Sequence, residues 1–230
     1  RATGGEPTLF LGQQLGKDTN PLWLLEFWNY SIDKIWSLDG TAPLPSLSPN
    51  LGAPDGTMSP DPGVRWVVTG NGVEVVGERV GAPRGTMTLF RITPPARLRF
   101  AQTGVSPDGW MSERATFSRY APEDGVSRGY SVVTVSRQGA CGAIPVADVV
   151  VKVGTVAVRN KQPGFGRVQD VVRRTLAACS VQKVVTRATI PYHVEITVSP
   201  TFVPAEVDAS SGDVRELGAQ VGFDFLPLEG

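Results

Sequence analysis

The sequence is short of the side chains on which most enzyme chemistry rests. It holds one histidine, His193, and two cysteines, Cys141 and Cys179. One imidazole and two separated thiols cannot assemble a zinc site at any standard ligand spacing. A nucleophile needs a base beside it, and no G-x-S-x-G elbow accompanies His193. The phosphate-cradling patterns G-x-x-x-x-G-K-S/T and G-x-G-x-x-G are missing too. So is charge of one sign: 22 basic residues match 22 acidic ones, and no block of like charge stands out. Affinity for phosphates comes largely from Lys and Arg, so nucleic acid is not an expected partner. No apolar run reaches the roughly 18–20 residues that a membrane-spanning helix needs. The chain opens on Arg1 and its first residues read as mid-chain sequence. A soluble piece of a larger protein is therefore expected, with its targeting signals elsewhere.

What is present is turn chemistry and alternation. The chain carries 26 Gly and 19 Pro, which favours many turns over long helices. Apolar side chains recur every second residue in Val194, Ile196 and Val198, and in Leu217, Ala219, Val221, Phe223 and Phe225. Val64, Trp66 and Val68 make a third such row, and Leu98 with Phe100 a fourth. This is the pattern of half-buried antiparallel strands. Further strands are expected over 22–30, 32–38, 73–76, 86–92, 114–118, 130–137, 147–158 and 183–190. Asp39-Gly40, Asp55-Gly56, Asn71-Gly72, Asp108-Gly109, Asp124-Gly125 and Ser211-Gly212 mark turns between strands. Residues 167–178 fit either an amphipathic helix or a strand; the β flanks and the missing N-cap favour the strand. The Pro/Gly-rich stretch 41–63 reads as a long surface loop. About ten short strands in this order imply one all-β domain over 1–230, an antiparallel two-sheet sandwich of jelly-roll type.

The residues that remain for chemistry are few. His193 follows Tyr192 in a strand pattern and shares a face with Glu195, which predicts a partly exposed strand histidine. The two cysteines suit one disulfide, Cys141 to Cys179, in an oxidising compartment; two buried free thiols are the other reading. The run Asp208-Ala209-Ser210-Ser211-Gly212-Asp213 offers oxygen ligands for a structural calcium ion, or is an ordinary polar turn. No other cofactor and no other metal is expected. Trp110 follows the turn Ser106-Pro107-Asp108-Gly109, and Tyr120 comes soon after. An aromatic face covers the C–H face of a sugar ring while a carboxylate such as Asp108 takes its hydroxyls. The N-terminal aromatics, Trp28 and Trp36 among them, are a second candidate platform. For each of these, packing in the core is the competing role. Paired carboxylates for glycoside hydrolysis cannot be picked out of acids spread over many strands.

Two stretches carry a resemblance. One is Phe90-Arg91-Ile92, Pro94-Pro95-Ala96-Arg97-Leu98-Arg99 and Asp108-Gly109-Trp110. The other is Thr201-Phe202-Val203-Pro204 with Asp213-Val214-Arg215-Glu216-Leu217-Gly218-Ala219-Gln220-Val221. Together they resemble the C-terminal extracytoplasmic region of actinobacterial multi-spanning glycosyltransferases of the arabinofuranosyltransferase-like group, and Gly4 to Gly12 fits the segment leaving the membrane part. The resemblance implies a non-catalytic jelly-roll module similar to carbohydrate-binding modules. It would face the cell envelope and hold arabinan- or galactan-type glycan beside a membrane-embedded catalytic region. No catalytic residue is carried over, because that region lies outside this sequence. Within the second stretch, Asp213 and Arg215 are expected to pair at a sheet corner and orient the last strand, with Gly218 admitting a close neighbour. A purely structural module and a cell-wall hydrolase remain the rival functions.

Overall fold

The computed structural model describes residues 3–12, 32–38, 50–51, 53–59, 61, 63–83, 85–138, 141, 144–160 and 162–228. The chain is all-β, with two main sheets, as the alternation implied. It divides into two compact units. The first comprises Arg1–Ala101, Arg119–Glu123 and Ala157–Gly164; the second comprises Gln102–Ser118, Asp124–Val156 and Phe165–Gly230.

The first unit is built on β1 (Thr8–Gly12), β2 (Ile32–Ser37), β3 (Asn50–Leu51), β4 (Met58–Ser59), β5 (Trp66–Thr69), β6 (Val73–Val75), β7 (Glu78–Arg79) and β8 (Thr88–Arg91). Five of these form a sheet in the order β2-β1-β5-β8-β7. Strand β1 lies parallel to both β2 and β5, an exception to the antiparallel pairing expected. It is buried along its whole length, so it shows no alternation and gave no periodic signal. Strands β3 and β4, which pair with each other, fall inside the expected 41–63 loop. Residues 22–30, Trp28 among them, lie outside the described residues. Trp36 lies on β2 and is 8% exposed. Tyr120 is 2% exposed, and its side chain covers Gly56, whose positive φ of 84° closes the Asp55-Gly56 turn. Both rings are buried and pack within the first unit.

The second unit is built on β10 (Trp110–Arg119), β11 (Arg128–Ser136), β12 (Ala147–Arg159), β13 (Gln162–Leu176), β14 (Val181–Thr189), β15 (Tyr192–Ser199), the single-turn helix α1 (Pro204–Val207) and β16 (Ala219–Pro227). Strand β9 (Leu98–Val105) pairs with β10 and, through its first residues, with β6. The sheet runs β13-β12-β15-β10-β16-β11-β14. The ambiguous stretch 167–178 is thus mostly strand. Alternation is clearest in β14, where Val184, Thr186 and Ala188 are buried while Val181, Lys183, Val185, Arg187 and Thr189 are exposed. The core behind it includes Val133, Val135, Val151, Val153, Val194 and Ile196. Phe117 stacks on Phe223 at 4.6 Å, and Tyr192 stacks on Phe225 at 5.9 Å.

Central β15 corrects one expectation. His193 is not partly exposed but 3% exposed, because residues on both faces of β15 are covered, the Phe165 ring lying against the imidazole. Its Nδ1 lies 2.7 Å from the Ser118 hydroxyl, and its ring meets Phe165 edge-on at 4.7 Å. Two residues on, Glu195 accepts hydrogen bonds from Lys152 at 2.8 Å and from Arg114. Burial holds the His193 imidazole down to about 4, against the opposing pull of the Glu195 charge and helped by Arg114. The unfolded chain therefore binds a proton at His193, ordinarily near 6.5, that the folded chain refuses down to about 4. Stability then falls with acid across that window. Urea denaturation should show a loss of about 3 kcal/mol between pH 7 and pH 4 from this group. In His193→Gln the loss over the same range should shrink by that amount; an unchanged pH profile would refute the assignment.

Candidate functional site

Trp110 is placed by the turn before it. Pro107 and Asp108 occupy its middle, Gly109 takes a φ of 84°, and the Gly109 N–H donates to the Ser106 carbonyl at 2.9 Å. The Ser106 N–H then donates to the Trp110 carbonyl at 2.8 Å, and an Asp108 carboxylate oxygen accepts the Trp110 N–H at 3.3 Å. Trp110 therefore opens β10 with a fixed direction. Its ring meets Phe202 edge-on at 5.9 Å and joins Ile144 and Leu217 in a small apolar cluster, with Ala178 against it.

The opposite wall comes from the excursion between β15 and β16. Phe202 and Leu217 face each other as an isolated antiparallel bridge, with reciprocal hydrogen bonds of 2.8 Å. Everything between them is thereby closed into one loop. Inside it, α1 ends where the Asp208 N–H donates to the Pro204 carbonyl at 2.9 Å. The Asp208 carboxylate caps the next turn by accepting the Ser210 N–H at 2.9 Å and its hydroxyl at 2.7 Å. The Asp213 carbonyl accepts the Ala205 N–H at 3.0 Å.

Between this loop and Trp110 lies a cleft of about 370 Å³. Its floor is Trp110, Ile144, Phe202 and Leu217; its rim includes Asp208, Ser211 and Asp213, with Cys141 on one wall. Arg215 braces the rim. Its Nε and Nη2 donate to Asp213 at 3.0 and 2.7 Å, and Nη2 also reaches Asp108 at 2.8 Å. Hydrogen bonds from Arg215 hold the Asp213 carboxyl down to about 2 and depress Asp108 as well. The Asp208 carboxyl is lowered by its bonds to Ser210. Asp213 and Arg215 thus pair at the entry to β16. A Cβ on Gly218 would strike the Ser112 carbonyl, so glycine is required for that approach.

Cys141 and Cys179 are joined by a disulfide. It ties the 138–145 connection to the β13–β14 turn beside Ala178, and so fixes the wall that carries Ile144. Among the described residues, no three His, Cys, Asp or Glu side chains gather for a metal ion. Of the acids considered for calcium, Asp208 accepts from Ser210 and Asp213 from Arg215. Ser118 and His193, the one hydroxyl–imidazole contact among the described residues, are 1% and 3% exposed and so closed to solvent.

Sequence reasoning singled out Trp110, Asp108, Asp213 and Arg215, and the structure brings these four together. It missed Phe202 as a floor residue, Asp208 as a rim residue, and above all Arg137. Arg137 is 0% exposed and directly follows β11. Its guanidinium donates to the Gly218 carbonyl at 2.7 Å, to Pro145 at 2.5 Å and to Pro200 at 2.8 Å, and lies 5.3 Å from the centre of the Phe202 ring. Those contacts come from three separate stretches of chain that surround the cleft. Burial pulls its affinity for the proton down, yet a guanidinium stays charged.

Arg137→Met keeps the apolar stem and leaves three carbonyls without their donor. At about 1–3 kcal/mol for each orphaned buried group, the variant should lose at least about 3 kcal/mol in urea denaturation. A loss under about 1 kcal/mol would show that the carbonyls find other donors.

In comparison with known proteins, no family, no curated protein and no solved structure matches this chain.

Proposed function

We propose that the chain is a non-catalytic carbohydrate-binding module whose ligand seats in the Trp110 cleft. One observation carries this reading: an aromatic and aliphatic floor, Trp110 with Phe202, Ile144 and Leu217, faces a rim of ionised carboxylates. Sugar rings present an apolar C–H face and a ring of hydroxyl donors, and the cleft opposes a matching surface to each. Its volume of about 370 Å³ lies at the small end of ligand sites, the size for one or two sugar units rather than a long chain.

The resemblance of the sequence to envelope glycosyltransferases makes arabinan- or galactan-type cell-wall glycan the proposed ligand. The module would hold that acceptor outside the cytoplasm, close to a membrane-embedded transferase region. The Cys141–Cys179 disulfide suits an oxidising, extracytoplasmic setting. A hydrolase fits less well. Glycoside hydrolysis needs one carboxyl that keeps its proton near neutral pH, whereas Asp108, Asp208 and Asp213 are all held below their ordinary range.

The floor is also restrictive. Trp110 is 9% exposed, so it offers an edge and part of a face rather than an open platform. Binding is accordingly weak, with Kd of about 0.1–10 mM, because sugar hydroxyls exchange one set of hydrogen bonds for another. Titration of the isotope-labelled chain with arabinofuranose and galactofuranose oligosaccharides should give saturable NMR shifts at the Trp110 indole and across 204–215. Asp208→Asn should weaken the response by about tenfold, the worth of one charge-assisted hydrogen bond. Flat titrations with every oligosaccharide would leave the purely structural module as the better reading.

A further inference from the structure

Net charge of zero hides an uneven distribution. In β13 and β14 the cations Arg167, Arg173, Arg174, Lys183 and Arg187 stand against Asp170 alone, and all six are exposed. These two strands end the sheet on either side. They flank an open seam of about 520 Å³, lined by Gln169 and Asp170 from β13 and by Arg187 and Thr189 from β14.

The strand register shows what shares one face. Val185 sits opposite Val132, which sits opposite Asp224; Arg187 sits opposite Tyr130, which sits opposite Leu226. Residues directly opposite in neighbouring strands point the same way. One face therefore carries Val181, Lys183, Val185 and Arg187 from β14, with Arg128, Leu226 and one exposed carboxylate, Asp224, beyond, so that three cations face one acid. Val181, Val185 and Leu226 are 42%, 51% and 47% exposed. Across the seam, β13 carries exposed valines on both of its faces, Val168 at 41% and Val171 at 42%. Together with Leu228, these are six of the eleven large exposed apolar side chains among the described residues.

Edge protection explains the cations but not the valines, which invite aggregation at an uncovered edge. A protein partner would meet a gathered apolar centre with charge pushed to its rim. Along β14 the order is instead valine, lysine, valine, arginine. A nucleic acid would call for stacking aromatics, and this face has only the half-buried Tyr130. Aliphatic side chains set singly among Lys and Arg match a bilayer interface, where the cations meet headgroup phosphates and the aliphatics enter the acyl boundary.

We propose that the β14–β11–β16 face, with the flanking edge of β13, docks on a lipid bilayer bearing anionic headgroups. Neither the Trp110 cleft nor its ligand enters this argument. Each cation at such a surface raises partitioning by about fivefold, a gain that salt screens.

Flotation of the full chain with vesicles of equal parts phosphatidylglycerol and phosphatidylcholine tests the proposal. Binding is expected at low ionic strength, is lost in high salt, and is absent with phosphatidylcholine alone. Lys183→Glu with Arg187→Glu should lower partitioning by more than about tenfold. Val181→Ser with Val185→Ser should lower it at unchanged charge. These positions are exposed, and circular dichroism checks that each variant folds. No binding of the unaltered chain to the anionic vesicles at low salt overturns the proposal. So does equal binding to both vesicle types, or charge-reversed protein that binds as well as the original. Retention on heparin together with indifference to the valine substitutions would point to a polyanion instead, and also overturns it.

Discussion

The architecture around the cleft depends on one buried cation. Among the described residues, Arg137 has no carboxylate partner; it donates to three backbone carbonyls. A guanidinium taken out of water is expensive unless all its donors are used. That cost becomes a geometric demand. The carbonyls of Pro145, Pro200 and Gly218 must converge within hydrogen-bond distance of one plane, although they belong to segments far apart in sequence. Phe202 lies against the same guanidinium, so the cleft floor is set by this convergence as well as by apolar contact. Gly218 has two duties here. Its carbonyl takes the Arg137 Nε–H, and its missing side chain lets the chain pass the Ser112 carbonyl.

Much of this fold was legible because half-buried strands advertise themselves. The rows ending in Val198 and Phe225 became β15 and β16, and Asp108-Gly109 became the turn that aims Trp110. What stayed hidden has a physical reason in each case. Strand β1 is buried on both sides and so lacks a period of two. His193 has the alternation of a surface position, and only the side chains packed above and below β15, Phe165 among them, show that both faces are covered. Arg137 stands just past the last residue of β11, where an arginine ordinarily faces water. Its burial is decided by three carbonyls that no local pattern announces. The site was half legible for the same reason. Asp213 and Arg215 are close in sequence and pair locally, whereas Asp108 reaches them only through a contact 107 residues long.

The cation distribution shows a related limit. A count over the whole chain gives zero, and no run of like charge marks the sequence. In a strand, however, side chains two apart share a face, so alternation can gather Lys183 and Arg187 with intervening valines into one surface without any run. Charge patterning read along the chain misses what is laid out across strands.

Five ionisable groups of the second unit share a further property. Asp108, Asp208 and Asp213 are held below the usual carboxylate range, Glu195 is held below it by Lys152 and Arg114 despite burial, and His193 is held neutral down to about 4. Around neutral pH none of these five changes its proton. An acid–base catalyst needs a group poised to trade a proton near its working pH. A surface that must present the same acceptors to a weakly held ligand needs the opposite, a fixed pattern of charge. Beside the cleft, Arg215 consumes part of the hydrogen-bonding capacity of Asp108 and Asp213 and fixes their charge. Under the proposed reading, hydroxyl donors would meet that fixed arrangement of acceptors.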